Sequence, residues 1–95
     1  MNKAGLIEAL ADRTELSKKD ARAAVEVLFH PERGLIADAL KRGERVGIAG
    51  FGSFEVRERR ERTGRNPRTG ERIRVPGGKA PAFRAGKGLQ AQVAR

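Results

Sequence analysis

The segment between residues 57 and 74 is rich in arginine and carries the most distinctive chemistry of the sequence. An arginine guanidinium can grip two phosphate oxygens at once, and it also fits a narrow minor groove whose potential is negative. The eighteen residues of this segment contain only three acids. The excess of arginines over acids therefore predicts a surface that binds a polyanion. The arginines are Arg57, Arg59, Arg60, Arg62, Arg65, Arg68, Arg72 and Arg74.

The formal net charge of +9 lies entirely in the last part of the chain. Residues 1–56 contain nine basic and nine acidic residues, whereas residues 57–95 contain twelve basic residues and three acids. A neutral body joined to a cationic segment indicates that one part folds while the other binds a polyanion. A solvated charged hairpin is the alternative, but alternating glutamates would normally balance such a hairpin.

Helical periodicity covers the first forty-three residues. Asn2 and Ser17 are each predicted to be the N-cap of a helix. Pro31 and Gly34 interrupt the second helical pattern, because proline has no N–H and disfavours helix in the residue before it. The pattern then resumes and stops at Gly43. A short break between two helices is favoured over one kinked helix.

Beyond residue 43 the apolar period changes from about 3.6 residues to 2, which indicates strands. Gly77 and Gly78 are expected to loosen the chain before the last strand, in which Phe83 is expected to be buried. An isolated two-stranded ribbon is marginal in water, so we expect the arginine-rich hairpin to be a mobile arm that becomes ordered on binding. The predicted strands lie within 44–50, 53–62, 72–76 and 81–84, with a tight turn at 50–52, a tip at 64–70 and a short terminal helix.

The composition bounds the remaining possibilities. The chain has four Phe, one His and no Trp, Tyr or Cys, which excludes a disulfide and leaves no metal cage, cofactor site or catalytic group in view. Only 22 large apolar side chains are present, so one chain has a thin core and we expect a dimer. The longest uncharged stretch, residues 46–54, is far below the roughly 20 residues that span a bilayer. We expect a soluble protein that stays in the compartment where it is made.

Long runs of the sequence resemble the bacterial HU/IHF family of histone-like DNA-bending proteins. They are GFGSFEVRERRERTGRNPRTGERIRVP, KAPAFRAGKGL and the opening MNKAGLIEALADRTELSKKDARAAVEVLF, which together cover nearly the whole chain. The resemblance implies an α+β fold: an intertwined dimer with two N-terminal helices, a three-stranded antiparallel sheet extended into a β-hairpin arm, and a short C-terminal helix. It further implies one domain, with a helical dimerisation base at 1–43, a sheet at 44–83 and a C-terminal helix at 84–95.

The implied function is non-enzymatic and largely sequence-independent binding and bending of double-stranded DNA, with nucleoid compaction in the bacterial cytoplasm. HU and IHF are themselves standard examples of minor-groove architectural proteins, which kink a duplex with an apolar wedge. Bent, nicked or otherwise distorted DNA is the expected preference. The alternatives are a site-specific bender of the IHF type, a binder of structured RNA, and an interaction protein whose basic arm binds an acidic partner.

The resemblance also assigns roles to residues. Pro67 becomes the intercalating residue, although its spacing alone leaves a plain turn equally open. Asn66 and Arg57, Arg59, Arg62 and Arg65 would line the minor groove, with Arg60, Arg68, Arg72 and Arg74 completing the arm. The phosphate contacts of the body would be Lys3, Lys79, Arg84 and Lys87. The dimer core would contain Phe29, Phe51, Phe54 and Phe83.

Three features depart from the family pattern. The segment 31–34 resembles a four-residue insertion, which is about 1.1 helical turns and so keeps the apolar stripe nearly in phase. Ala85 stands where proline is usual, and Gln90 stands where a basic residue is common. We expect Ala85 to loosen the start of the last helix and Gln90 to remove a phosphate contact.

Overall fold

The computed structural model describes all residues from Met1 to Arg95. Its elements are α1 (Lys3–Arg13), α2 (Lys18–Phe29), α3 (Leu35–Lys41), β1 (Val46–Ile48), β2 (Gly52–Arg59), β3 (Arg62–Arg65), β4 (Arg72–Val75), β5 (Gly78–Ala85) and α4 (Lys87–Val93). The chain forms two compact units, Met1–Arg42 and Gly43–Arg95. The first is helical, and the second contains the strands and α4. None of the helices has the length and apolar character needed to cross a membrane.

Both predicted N-caps of the helical unit are confirmed. The Asn2 side-chain oxygen accepts a hydrogen bond from the Gly5 N–H at 2.9 Å at the start of α1. The Ser17 hydroxyl oxygen accepts one from the Asp20 N–H at 3.1 Å at the start of α2. Each side chain thereby satisfies one of the four amides that a helix start leaves without an intrahelical partner.

The predicted break after α2 is confirmed, and it is a hydrogen-bonded turn. The Gly34 N–H donates to the His30 carbonyl at 3.0 Å. The Nδ1 atom of His30 accepts from the N–H groups of Glu32 and Arg33, both at 3.1 Å. Residues 31–34 thus form a turn capped by a histidine, and α3 begins afterwards as a separate helix.

The core of the helical unit is small. Ile7, Ala21 and Val25 are buried against one another, with Leu10 and Ala11 packed at their edge. These residues follow the apolar stripes of α1 and α2 at helical spacing. No large side chain of the chain is fully buried, so much apolar surface remains in contact with water.

The second unit is built on an antiparallel sheet of three strands in the order β1-β2-β5. A separate two-stranded ribbon, β3 with β4, continues the hairpin outward. The expected unbroken strand over residues 53–62 is therefore wrong, because pairing stops at Arg60 and Glu61. The opposite residues are Pro76 and Gly77. Proline has no N–H to donate, so the ladder cannot continue through this position.

The expectation that Gly77 loosens the chain is also wrong. A Cβ atom at Gly77 would lie 2.6 Å from the carbonyl oxygen of Arg59 and 3.0 Å from the amide nitrogen of Glu61. The two backbones thus approach more closely at the break than any residue with a side chain allows. Gly78, by contrast, has open space around its Cα.

The short helix α4 packs its first turn onto the connection between β1 and β2. The Gly86 and Leu89 N–H groups donate to the carbonyls of Phe51 and Gly50, at 2.8 and 3.1 Å. A Cβ atom at Gly88 would lie 2.8 Å from the Gly50 oxygen, so glycine is required for this contact. Residues 84 and 85 belong to β5, and α4 begins at Lys87.

The two departures at the C-terminus contact each other. The side-chain amide of Gln90 donates to the carbonyl of Ala85 at 3.0 Å. Gln90 therefore ties α4 back to the end of β5. A cationic side chain in its place would carry a charge to the surface, whereas glutamine here makes a structural hydrogen bond.

Candidate nucleic-acid interface

The arm, residues 57–74, comprises the outer end of β2, the break, the β3–β4 ribbon and its tip. Side chains alternate between the two faces of a ribbon, and directly paired residues share a face. The pairs Thr63 with Arg74 and Arg65 with Arg72 therefore gather three arginines on one face. We call Arg65, Arg72 and Arg74 the basic face of the ribbon.

The other face of the ribbon is largely apolar. Arg62 pairs with Val75, and Gly64 pairs with Ile73. The side chains of Ile73 and Val75 lie over Gly64, within 4 Å of where its Cβ would stand. Arg62 thus lies on the opposite face from the basic face, so the arginines of the arm do not form a single surface.

A hydrogen-bonded turn shapes the tip of the arm. The Asn66 N–H donates to the Glu71 carbonyl, and the Gly70 N–H donates to the Asn66 carbonyl, both at 2.8 Å. The Asn66 side-chain oxygen accepts from the Arg68 N–H at 2.9 Å. This Asx-type turn leaves Pro67 exposed at the outer end of the arm. The family resemblance implies a groove contact for Asn66, and the structure shows that its side-chain oxygen also orders the tip.

The inner part of the arm presents arginines on one face of the three-stranded sheet. Arg57 and Arg59 pair with Ala80 and Gly78 of β5, whose side chains are too small to cover them. Arg84 pairs with Ser53 and lies on this same face by alternation. Lys79 pairs with Glu58 and lies on the other face of β5, so two of the predicted phosphate contacts point to opposite sides of that strand.

Glu61 and Glu55 contact arginines in this unit, and neither contact was predicted from the sequence. The Glu61 Oε1 atom lies 2.6 Å from the Nε of Arg74. The Glu55 Oε1 atom lies 3.8 Å from the Nε of Arg84 and accepts a hydrogen bond from the Ser53 hydroxyl at 3.2 Å. Ser53 is buried and the Glu55 side chain is only 17% exposed. The one available sequence signal was the spacing of Ser53 and Glu55, which places both on one face of a strand.

Lys3 forms an ion pair with Glu26 inside the helical unit. The hydrogen bond from Lys3 lowers the pKa of the Glu26 carboxyl below its ordinary value of 4.5, against a smaller opposing effect of burial. The Lys3 side chain is 60% exposed, so it stays open to solvent although it is paired. Lys87, the remaining body residue, is exposed at the first position of α4.

Three of the four phenylalanines meet in the second unit. The ring centroids of Phe54 and Phe83 lie 5.0 Å apart, and those of Phe51 and Phe83 lie 5.7 Å apart, both in tilted arrangements. Phe83 was expected to be buried, which is wrong for the single chain, because a large part of its side chain is exposed. Phe51 and Phe83 are 47% and 42% exposed, and Phe29, in the helical unit, is 50% exposed.

An antiparallel sheet that carries an arginine-rich ribbon, in a chain with a helical N-terminal unit, agrees with the fold class expected from the sequence. The chain belongs to the bacterial DNA-binding protein family, which it matches over residues 1–94. The resemblance to the HU/IHF family is thereby confirmed. The relatives below are named for DNA binding and not for a catalysed reaction, which agrees with the expectation of a non-enzymatic protein.

The similarity to individual HU proteins extends over nearly the full length. The chain is 54% identical over 94 residues to DNA-binding protein HU 1 of Bacillus subtilis, covering 99% of this chain and 98% of that protein. It is 56% identical over 90 residues to HU-1 of Halalkalibacterium halodurans, covering 95% and 96%. Among solved structures, the Anabaena HU–DNA cocrystal structure superimposes with a TM-score of 0.88 at 41% identity, covering 99% of this chain and 98% of that chain.

Proposed function

We propose that this protein binds double-stranded DNA with little sequence preference and bends it, acting as a homodimer that compacts the bacterial nucleoid in the cytoplasm. The observation that carries the proposal is the exposed, arginine-rich ribbon. The whole chain is similar in sequence and fold to a protein that has been crystallised with DNA. No group in the proposed mechanism is catalytic. The chemistry is binding, neutralisation of phosphates and deformation of the duplex.

The affinity comes mainly from phosphate neutralisation. The arm carries eight arginines against three glutamates, and one glutamate is already paired with Arg74. Each phosphate that is neutralised releases counterions from the duplex, and this release is sequence-independent. Arg57 and Arg59 of β2 and the basic face of the ribbon supply the phosphate and groove contacts of the arm. Lys3, Lys79, Arg84 and Lys87 supply those of the body.

Bending is assigned to Pro67. It lies exposed at the tip, it has no N–H to desolvate, and its ring is rigid and compact. A side chain of this kind can enter between two base pairs at a cost of a few kcal/mol of unstacking, and the bent duplex then reaches more protein surface. Nicked or flexible sites are already partly unstacked, so they bind more tightly.

The dimer follows from surface that one chain leaves uncovered. Phe29, Phe51 and Phe83 are about half exposed, and the buried core consists of small or medium side chains. Apolar area of this kind becomes favourable only when another surface removes it from water, at about 25 cal/mol per Å². A second copy that covers the phenylalanines would supply the missing half of the core.

The experiment combines titration with a duplex of random sequence and a ring-closure assay. If two arms and the body engage six to ten phosphates, the binding constant should fall by about 10³–10⁵ between 50 and 200 mM salt. Pro67→Ala should reduce bending more than affinity. Thr69→Ser is the matched control at the tip, because it keeps the hydroxyl that accepts from the Glu71 N–H at 3.3 Å.

The outcomes separate the rival functions. A flat salt response or an unbent duplex contradicts the proposal. Equal or tighter binding to A-form RNA that does not depend on Pro67 would indicate an RNA-binding protein. Strong preference for one chosen duplex over random sequence would indicate a site-specific bender, and absence of duplex binding at moderate salt would indicate an acidic protein partner.

A further inference from the structure

Two glutamates lie within the most cationic surface of the protein, where acids would be expected to weaken binding to a polyanion. Glu55 lies on the face of the sheet that carries Arg57 and Arg84, and Glu61 lies at the break beside the ribbon. Each contacts one arginine, and in both pairs the contacted atom is Nε. The Glu61 contact is at hydrogen-bond distance, 2.6 Å, whereas the Glu55 contact, at 3.8 Å, is an ion pair longer than a hydrogen bond.

Each carboxylate contacts its arginine at Nε and not at a terminal amino group. A guanidinium can bind a phosphate through its two terminal amino groups, in a fork of fixed geometry. A carboxylate at Nε restrains the flexible side chain without using those amino groups. The Arg84 side chain is 69% exposed and that of Arg74 is 81% exposed, so a phosphate can reach both side chains from solvent.

Glu55 is itself held in place. The buried Ser53 hydroxyl donates to the same Oε1 atom that faces Arg84, and the Glu55 side chain is mostly covered. A carboxylate that is largely removed from water is screened less than a surface one, so its contact with a cation is stronger. Glu55 thus links a buried hydroxyl, that of Ser53, to an exposed guanidinium, that of Arg84.

We propose that Glu55 and Glu61 are positioning residues that hold Arg84 and Arg74 by their Nε atoms, so that the terminal amino groups of each arginine are preorganised for a DNA phosphate. The proposal rests on the proposed function and adds to it that two acids favour binding. Fixing a long side chain before binding lowers the entropy that the complex must otherwise lose.

The test compares two opposite effects on duplex affinity when an acid is removed. Simple electrostatics predicts that removal of any acid from a cationic surface tightens duplex binding. Glu58 is the matched control, since it lies on β2, pairs in register with Lys79 and forms no ion pair. Glu58→Gln should bind a random duplex as tightly as the unmodified protein or more tightly. Glu55→Gln and Glu61→Gln remove the same charge and should bind about twofold to fivefold more weakly.

Two further measurements show whether the glutamates act through their arginines. In an Arg84→Lys background, which keeps the charge but has no Nε fork, Glu55→Gln should no longer weaken binding, and Arg74→Lys should do the same for Glu61→Gln. In the free protein, the Nε–H resonance of Arg84 should move toward its solvent-exposed position in Glu55→Gln and stay unchanged in Glu58→Gln.

The results are distinguishable from a failure of the proposed function. If the unmodified protein does not bind duplexes, the function is wrong, and the Nε–H resonances still report on positioning. If it binds and Glu55→Gln and Glu61→Gln behave as Glu58→Gln does, the positioning role is overturned. If only one of the two is weakened, the role holds for that residue and is overturned for the other.

Discussion

The adjacent glycines at the break in the arm allow a sharp test of the structure. A Cβ atom at Gly77 would lie 2.6 Å from the Arg59 carbonyl oxygen, whereas ordinary contacts begin near 3.4 Å, so the two backbones would have to separate by about 0.8 Å. The nearest atoms belong to backbone and cannot rotate away. Overpacking of this kind costs about 1–3 kcal/mol.

Gly77→Ala should therefore raise the population in which the ribbon is open by about fivefold to 150-fold, because 1.36 kcal/mol corresponds to a factor of ten. Gly78→Ala is the control one residue away. Nothing lies within 4 Å of its Cβ position, and its φ is not in the left-handed region. That substitution should be neutral or stabilise by up to about 1 kcal/mol, since alanine restricts the unfolded chain.

Amide hydrogen exchange of β3 and β4 measures the effect directly, since it reports the free energy of local opening. Exchange should accelerate in Gly77→Ala and not in Gly78→Ala, while the helical amides of α1 and α2 keep their rates. Equal exchange in the two variants would refute the close approach at the break. Weaker duplex binding by Gly77→Ala alone would link the break to the function of the arm.

Three further predictions concern the two units. Ser17→Ala should lower stability by about 1 kcal/mol through loss of the N-cap bond, as measured by thermal unfolding, whereas Ser17→Asn should retain it. Gly88→Ala should detach α4, because its Cβ would lie 2.8 Å from the Gly50 oxygen, and the α4 amides should then exchange faster although alanine favours helix. Lys3 lowers the pKa of Glu26, so this pair stabilises the fold above pH 4.5 and its contribution is lost as the pH falls through the lowered pKa. Acid titration of Glu26→Gln should lack this loss, and an identical titration would contradict the linkage.

Local chemistry explains which parts of the fold the sequence could predict. The N-caps at Asn2 and Ser17 and the turn after His30 depend on residues within four positions of one another, so the sequence carries the whole signal. The switch from helical to alternating apolar spacing after Gly43 is equally local. These elements agree with the structure to within a residue or two.

The break in the arm could not be predicted, because its cause lies on the opposite strand. Residues 53–62 have a continuous strand pattern, and only the pairing with Pro76 and Gly77 ends it. The division of the arginines between two faces depends on the same register. Glu55 was not predicted for a different reason. The net charge counts every acid alike, whereas the role of Glu55 depends on its contacts with Ser53 and Arg84 in the folded chain.

The absence of any large, fully buried side chain has a consequence for the behaviour of the protein in dilute solution. When folding is completed by a second copy, the native state appears as the product of a bimolecular reaction, and its stability is governed by mass action. The midpoint of thermal unfolding should then rise with protein concentration. Turnover of the protein by proteases would accelerate whenever its cellular amount falls, so abundance and lifetime would be coupled through the exposed phenylalanines.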